Sequence, residues 1–346
     1  MIKNFDYYPE DRKIYEEEIR NFIPERIFDF HIHLWKKEQL KDPLNYHRKE
    51  LDPFLDFDAI DNFDISYCLE IACILFPDKK FEGLYFGDPF PEIDLAASNK
   101  MIKDEVNERG FYGLYIVTPD EDSDLLKKTL LKGGFRGLKP YPELCQSKEY
   151  RLDQDNISIF NYLTHDHLKI ANELGMIVIL HIPKTKRLND QENLENISEI
   201  SASYPRIKLV LAHAGRSFCE EDIADSIKGI VPLKNVFVDI SMINNWEVLK
   251  ILIENLGNER VLYGSDFPIA ALRGKNISIN GKHYFVTDIP FGWSISAANL
   301  DSRNITFFIY EEIRELKKAI LFLDNKNSKY IAENIFYNNA VNLIKG

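Results

Sequence analysis

Long apolar runs, paired cysteines and a surplus of basic residues are all missing from this chain. No apolar stretch in its 346 residues approaches the roughly 20 needed to cross a membrane. The opening Met1-Ile2-Lys3-Asn4-Phe5 lacks the basic start and apolar core of a signal peptide. Cys68, Cys73, Cys145 and Cys219 form no Cys-x-x-Cys pair and do not sit in a short secreted chain, which removes a zinc knuckle and a disulfide framework. Lys and Arg number 43 against 55 Asp and Glu, a formal charge of −12. Nucleic acid and anionic membranes attract basic surfaces, so neither is expected as a partner. These absences lead us to expect a soluble, cytoplasmic protein acting on a small-molecule substrate, with homo-oligomerisation left open.

What is present is ordinary globular composition, 45% hydrophobic and 28% charged, in a length that fits one large domain or two medium ones. The segment Asp29-Phe30-His31-Ile32-His33 follows the apolar Ile27-Phe28 and reads as the end of a β-strand. Alternation along a strand predicts Asp29, His31 and His33 on one face and Phe28, Phe30 and Ile32 on the other. Two imidazoles on one face suit a divalent metal. A bare His-x-His is equally well two incidental polar residues, so the rest of the chain decides.

Residues about 9–22 carry Ile14, Tyr15, Ile19 and Phe22 at helical spacing, and a polar, proline-containing loop runs from the first strand to about 62. Further strands are expected at 66–75, 111–117, 135–139, 176–181, 207–213, 236–240 and 261–265. Helices are expected between them, at about 95–108, 122–132, 157–174, 190–203, 220–230 and 244–257. Eight strands apolar on both faces, alternating with helices, predict an α/β fold: a parallel (β/α)8 TIM barrel with its core at about 26–268. Asn280-Gly281 between apolar-containing segments predicts a hairpin standing over the barrel mouth. Helices near 309–323 and 328–344 complete an extension over 269–346, and the whole of 1–346 is read as one domain.

With strands placed, the histidines sort themselves. His31 and His33 end the first strand, His181 the fifth and His213 the sixth, while Asp266 follows the eighth. The C-terminal ends of barrel strands form the active-site face. Four imidazoles and a carboxylate are costly to desolvate there without a cation; with one they make a catalytic metal site open to water. Lys139 ends the fourth strand. Around this set, Trp35 is a candidate pocket wall and Arg216 a bidentate clamp for a substrate carboxylate. Asp29 is expected to face inward, one layer below His31, as a support or a buried ion-pair partner. Ser241 ends the seventh strand and is a weaker candidate to line the site. His283, Tyr284 and Trp293, on or after the hairpin, are read as surface or packing residues with substrate contact as the alternative, His165 and His167 as part of an outer helix, and His47 as part of the polar loop.

The segments Phe-Asp-Phe-His-Ile-His-Leu-Trp, Gly-Leu-Lys-Pro-Tyr-Pro, Ile-Leu-His-Ile-Pro, Leu-Ala-His-Ala-Gly and Leu-Tyr-Gly-Ser-Asp-Phe-Pro, with the closing Asn-Ile-Phe-Tyr-Asn-Asn-Ala-Val-Asn-Leu, occur in this order. Together they resemble the amidohydrolase superfamily over about 26–344, and within it the type 2 branch, which includes aminocarboxymuconate-semialdehyde decarboxylase and lactonases of the dicarboxylate type. The resemblance implies that His31, His33, His181 and Asp266 bind one divalent metal ion, usually zinc. It implies that Asp266 also takes a proton from the metal-activated water. His213 would be an acid/base group or a ligand of a second metal, the latter if Lys139 is carbamylated; the simpler expectation is a plain lysine that pairs with a carboxylate or reaches substrate. Many relatives carry Lys-x-His-Pro where this chain has Lys139-Pro140-Tyr141-Pro142, so that histidine's role does not carry over, and Tyr141 is the candidate replacement. The expected activity is metal-dependent hydrolysis of an ester, lactone or amide of a small polar metabolite. The alternative is non-oxidative decarboxylation of an unsaturated or aromatic acid, and a third reading is a binding protein on the same barrel.

Overall fold

A computed structural model describes residues 5–42, 62–145, 153–289, 291, 293–296 and 301–346. Eight strands lie side by side in the order of the sequence: β1 (Arg26–His33), β2 (Lys80–Phe86), β3 (Tyr112–Ile116), β4 (Gly137–Lys139), β5 (Ile177–Leu180), β6 (Lys208–Leu211), β7 (Val236–Asp239) and β8 (Val261–Leu262). Every ladder between neighbours is parallel. The chain past β8 then returns to β1. The Phe30 amide donates to Tyr263 O at 2.9 Å, Asp266 to His31 O at 2.9 Å and His33 to Phe267 O at 2.8 Å, closing the sheet into a barrel.

One expected strand is a helix. Residues 66–75 lie in the helix Ile65–Leu75, whose buried Ile65, Cys68, Ile71, Ala72 and Leu75 recur three or four apart as on one helix face. Asp64 caps it, accepting the Tyr67 amide at 2.9 Å. The β-rich composition of this stretch concealed its period. The second barrel strand is instead Lys80–Phe86, and Lys80 and Glu82 in its first half break the apolar run by which a parallel strand is recognised. The helices at Leu95–Arg109, Ser123–Gly133, Gln191–Ser203, Trp246–Leu256 and Phe308–Asp324 match expectation. Those at 157–174 and 220–230 are shorter, each reduced to a 3-10 turn and a helix, His165–Leu174 and Ile227–Ile230. His47 and most of the polar loop around it lie outside the described residues.

The barrel interior is filled by Phe28, Phe30, Leu84, Phe86, Leu114, Ile177, Ile179, Val210 and Leu262, against which Ala340, Leu343 and Ile344 of the last helix pack. Asn339 ties that helix to the start of β8, donating to Val261 O at 2.8 Å and Asn258 O at 2.7 Å. Burying each large apolar side chain contributes about 1.5–3 kcal/mol, so this plug holds the N-terminal end rigid and leaves the other end to chemistry.

Over that other end stands the expected hairpin. Strands β9 (Gly274–Ile279) and β10 (Lys282–Thr287) pair antiparallel with Ile279 opposite Lys282. Asn280 and Gly281 connect them at φ of 51° and 72°, the two positive values that a type I′ turn requires. A short β11 (Ser294–Ser296) pairs parallel to β10 and completes a three-stranded sheet.

Candidate metal centre at the barrel mouth

The register of β1 against β2 shifts between Asp29 and Ile32, and strict alternation stops there. Phe28 and Phe30 therefore belong to the barrel interior, although His31 and His33 also converge on the mouth. Asp29 does not accompany them. Its Oδ1 accepts the amides of His31 at 3.0 Å and Ser265 at 2.9 Å, a brace between β1 and the residues after β8. No described cation pairs with it, and burial pushes its carboxyl up to about 7. Of the two expected roles, support and ion pair, the backbone clamp under His31 is the support; the inward position is not found. Gly264 makes the approach possible, since a Cβ there would come 2.9 Å from the Cβ of His31.

That clamp delivers Asp266 to the histidines. Its Oδ1 lies 3.5 Å from His31 Nε2 and 3.4 Å from His33 Nε2. Two ligands about 2.0–2.1 Å from a tetrahedral ion stand about 3.4 Å apart, so Asp266 Oδ1 is at ligand spacing from each imidazole, and the three residues offer donors within 4.8 Å of one another. His31 is completely buried and its Nδ1 faces Asp239 Oδ2 at 3.0 Å. Burial, followed by the charge of Lys139, pushes His31 down to about 3. Burial acts the other way on Asp239, but His31 and Ser241 outweigh it and hold this carboxyl below its usual range. The consistent state is a neutral His31 donating from Nδ1 to an ionised Asp239, which aims the Nε2 lone pair at the mouth. His33 is likewise pushed down by burial, and its Nδ1 contacts Gly87 O at 3.2 Å. Burial raises the Asp266 carboxyl, but the hydrogen bond from His33 and the surrounding polar groups outweigh it and hold Asp266 below its usual range.

His213 opens a left-handed turn, with φ of 53°, 48°, 68° and 60° at His213, Ala214, Gly215 and Arg216. Such runs are costly for residues with a Cβ and cluster at functional sites. Here the turn brings His213 and Arg216 to the same cavity. The Asp239 carboxylate takes the His213 amide at 3.0 Å, and His213 Nδ1 faces Ser241 O at 3.1 Å and Ser241 Oγ at 2.8 Å. Nδ1 is thereby the protonated nitrogen and Nε2 the free one, as assigned from these partners. His181 has no partner for its buried Nδ1, is pushed down by burial and then by the charge of Arg216, and packs against Tyr141 and His213 at 4.6 and 5.5 Å between ring centroids. It shares the cavity but is not in the sets of donors within 4.8 Å of one another, which are His31, His33, Asp266 and His31, His213, Asp239.

The cavity measures about 390 Å³; Trp35 walls it as expected, and Tyr141 and Arg216 line it too. Its roof follows the alternative reading of His283, Tyr284 and Trp293 and not the surface one: all three line it, because the hairpin folds back across the mouth. Lys139 does not line it. Its amine is fully buried 3.2 Å from His31 Nε2, over the ring of Phe86, and burial pushes it down to about 8. Ser241 is also sealed off, linking Asp239 to His213 instead of meeting the cavity. His165 and His167 sit on the outer helix, away from the cavity. Sequence reasoning missed Asp239 and Arg187; Asp239 was findable, since Val236-Phe237-Val238-Asp239 puts a carboxylate at the end of the seventh strand.

A parallel barrel whose mouth gathers neutral imidazoles and ionised carboxylates is a metal-site barrel of the catalytic kind. Residues 28–276 match the family described as amidohydrolase, and the chain belongs to that family. Among solved structures it is similar to a probable 2-pyrone-4,6-dicarboxylic acid hydrolase from Acinetobacter baumannii, at 13% identity and TM-score 0.55 over 92% of this chain and 99% of that one. It is also similar to a 5-carboxyvanillate decarboxylase from Sphingomonas paucimobilis, at 11% identity and TM-score 0.59 over 93% and 99%. A third is an amidohydrolase from Burkholderia multivorans with bound zinc, at 11% identity and TM-score 0.53 over 92% and 99%. At these identities the likeness establishes the fold. No curated protein matches the sequence. Among the described residues no helix is long and apolar enough to cross a membrane.

Proposed function

We propose that the protein is a metal-dependent hydrolase of an ester, lactone or amide carried on a small polar metabolite. The observation that supports this most is the convergence of His31 Nε2, His33 Nε2 and Asp266 Oδ1 at ligand spacing, beside His213 and at the edge of an aromatic-walled cavity. These three residues, with His181 facing the same space, would hold one divalent ion, zinc in the first instance. Such an ion lowers the pKa of a coordinated water towards about 7 and polarises a carbonyl.

The chain's own groups handle the protons. Asp266, kept ionised, accepts the proton of the attacking water and returns it to the leaving oxygen or nitrogen. His213, its Nδ1 fixed on Ser241, presents Nε2 to the substrate carbonyl region. Asp239 keeps His31 in the tautomer that leaves Nε2 free. Tyr141 and Trp35 exclude water from the sides, and Arg216 holds a substrate carboxylate.

The test is a panel of lactones, esters and amides set beside a panel of unsaturated and aromatic acids, assayed with zinc-loaded and chelator-treated protein. Hydrolysis that disappears on chelation and returns with zinc is the expected result. Release of CO2 from the acids with no hydrolysis would overturn the proposal in favour of decarboxylation, which the same groups could serve.

A further inference from the structure

The floor of the cavity, where Asp239, Ser241 and His213 are tied together, has one support that comes from outside the barrel. Glu312 lies on the helix Phe308–Asp324 and is completely buried. Its Oε2 accepts the Met242 amide at 2.9 Å and its Oε1 has no hydrogen-bond partner, so among the described residues that amide is the one group this acid holds. Burial, then the charge of Asp29, pushes the carboxyl well above the ordinary carboxylate range. An uncharged carboxyl accepts best through its carbonyl oxygen, which makes Oε2 the carbonyl and Oε1 the hydroxyl. The same helix holds the loop after β7 a second time, Phe308 O accepting from Asn244 Nδ2 at 3.2 Å.

Met242 is where that loop is strained. Residues 240–243 form a β-turn, closed by the Ile243 amide donating to Ile240 O at 3.0 Å. Of the two central residues Met242 alone has positive φ, 61°. Positive φ at the third position marks a type II turn, a place that glycine fills readily and a residue with a Cβ resists. The relaxed alternative for a methionine is type I, and the two types differ by about a half-turn of the central peptide, here Ser241–Met242. Both ends of this peptide are engaged. Its carbonyl, Ser241 O, faces His213 Nδ1 at 3.1 Å, and its N–H is the one held by Glu312. Ser241 Oγ, 2.8 Å from the same ring nitrogen, donates its own proton to Asp239. His213 Nδ1 thus meets two acceptors and carries the proton. A half-turn of the peptide would withdraw Ser241 O and turn the Met242 N–H towards Nδ1, setting donor against donor.

We propose that Glu312 is a positioning residue, which fixes the tautomer of His213 by holding the Ser241–Met242 peptide in the strained turn. This role rests on the proposed function in that the free Nε2 of His213 is the nitrogen presented to substrate. Glu312 itself does not line the cavity. Two rings of the floor are therefore set in the same tautomer by different means: His31 directly by the Asp239 carboxylate, and His213 through a peptide unit whose far end is anchored on a helix outside the barrel.

Nitrogen-15 NMR of the full-length, zinc-loaded protein labelled at histidine reads the tautomer without turnover, the His213 ring being assigned by its disappearance in His213→Gln. The unaltered protein is expected to carry the proton on Nδ1, and so is Glu312→Gln, whose amide oxygen still accepts the Met242 N–H. Glu312→Leu, of similar volume but with no acceptor, is expected to lose the Nδ1-protonated signal while remaining folded by its thermal melt and keeping its zinc. Adding Met242→Gly to Glu312→Leu removes the strain that drives the half-turn, and the signal is expected to return; a merely structural role gives no such rescue. Should Glu312→Leu not fold, Met242→Ile carries the test with Glu312 in place, because a β-branched residue strongly resists positive φ and is expected to lose the same signal. Retention of the Nδ1 proton in Glu312→Leu or in Met242→Ile, or its loss in Glu312→Leu without return in the double variant, overturns the inference. Because no reaction is read, hydrolysis with a tautomer indifferent to Glu312 overturns this inference alone, and a tautomer that follows Glu312 in a protein without hydrolysis overturns the proposed function alone.

Discussion

The floor and the far wall of the cavity are built on opposite plans. On the floor, His31, Asp239, Ser241, His213 and Asp266 are tied to one another and to backbone, and His31 and Asp239 are fully buried. On the wall, Arg216 has only carbonyl and amide oxygens at 3.3–3.4 Å, while Arg187 is ion-paired with Asp222 at 3.0 Å and touches His283 of the hairpin. Reaction needs donors fixed to within fractions of an ångström before substrate arrives. Recognition of a charge tolerates a looser frame that the ligand completes. The floor is thus the more densely hydrogen-bonded part of the cavity, as the proposed reacting end requires, and the wall around Arg216 the looser part.

The largest expected effect breaks the floor. Asp266→Ala removes both a metal donor and the proton acceptor, and we expect kcat to fall about 10³-fold together with loss of bound metal, read by steady-state kinetics and elemental analysis. A variant keeping its metal and its rate would show that the floor is not the reacting end.

The second prediction concerns the wall and its dependence on pH. Burial, and after it the charge of Arg187, pushes His283 down to about 4 against an opposing pull from Asp222. The folded value lies below the unfolded one of about 6.5, so the unfolded chain takes up its proton first. Stability from this group is complete above about pH 6.5 and is lost as pH falls towards 4, by at most on the order of 3 kcal/mol. Urea unfolding between these pH values should show a slope that His283→Phe makes shallower without abolishing it, since His31, His33 and His181 are pushed down as well; parallel curves for the two proteins would mean that the wall does not keep this ring neutral.

A smaller effect sharpens the comparison from the floor's side. Asp239 touches no cavity, yet Asp239→Asn loses the carboxylate that orients His31 and should weaken metal affinity about 10–100-fold, measured by competition with a chelator. Unchanged affinity would reduce Asp239 to a structural brace.

Much of this was legible in the chain before any coordinates. His31, His33, His181, His213 and Asp266 each follow an apolar run long enough to be recognised as a strand, and a barrel sends strand ends to one face whatever the loops do. Asn280-Gly281 announced its turn because only residues that tolerate positive φ fit there. Residues 66–75 misled because β-prone side chains can also occupy one face of a helix, and composition then outweighs period. Asp29 misled because a single shift in register ends the alternation on which its orientation was inferred.

Local chemistry, then, determined the barrel, its active face and the residue types that gather there, since periodicity and turn preference act over a few residues. The pairing of His31 with Asp239, 208 positions apart, the burial of Lys139 against His31 Nε2 and the contact of His283 with Arg187 were decided only by the tertiary structure. Each depends on the closure of eight strands and the path of one hairpin, and distances set by closure have no counterpart in the local sequence.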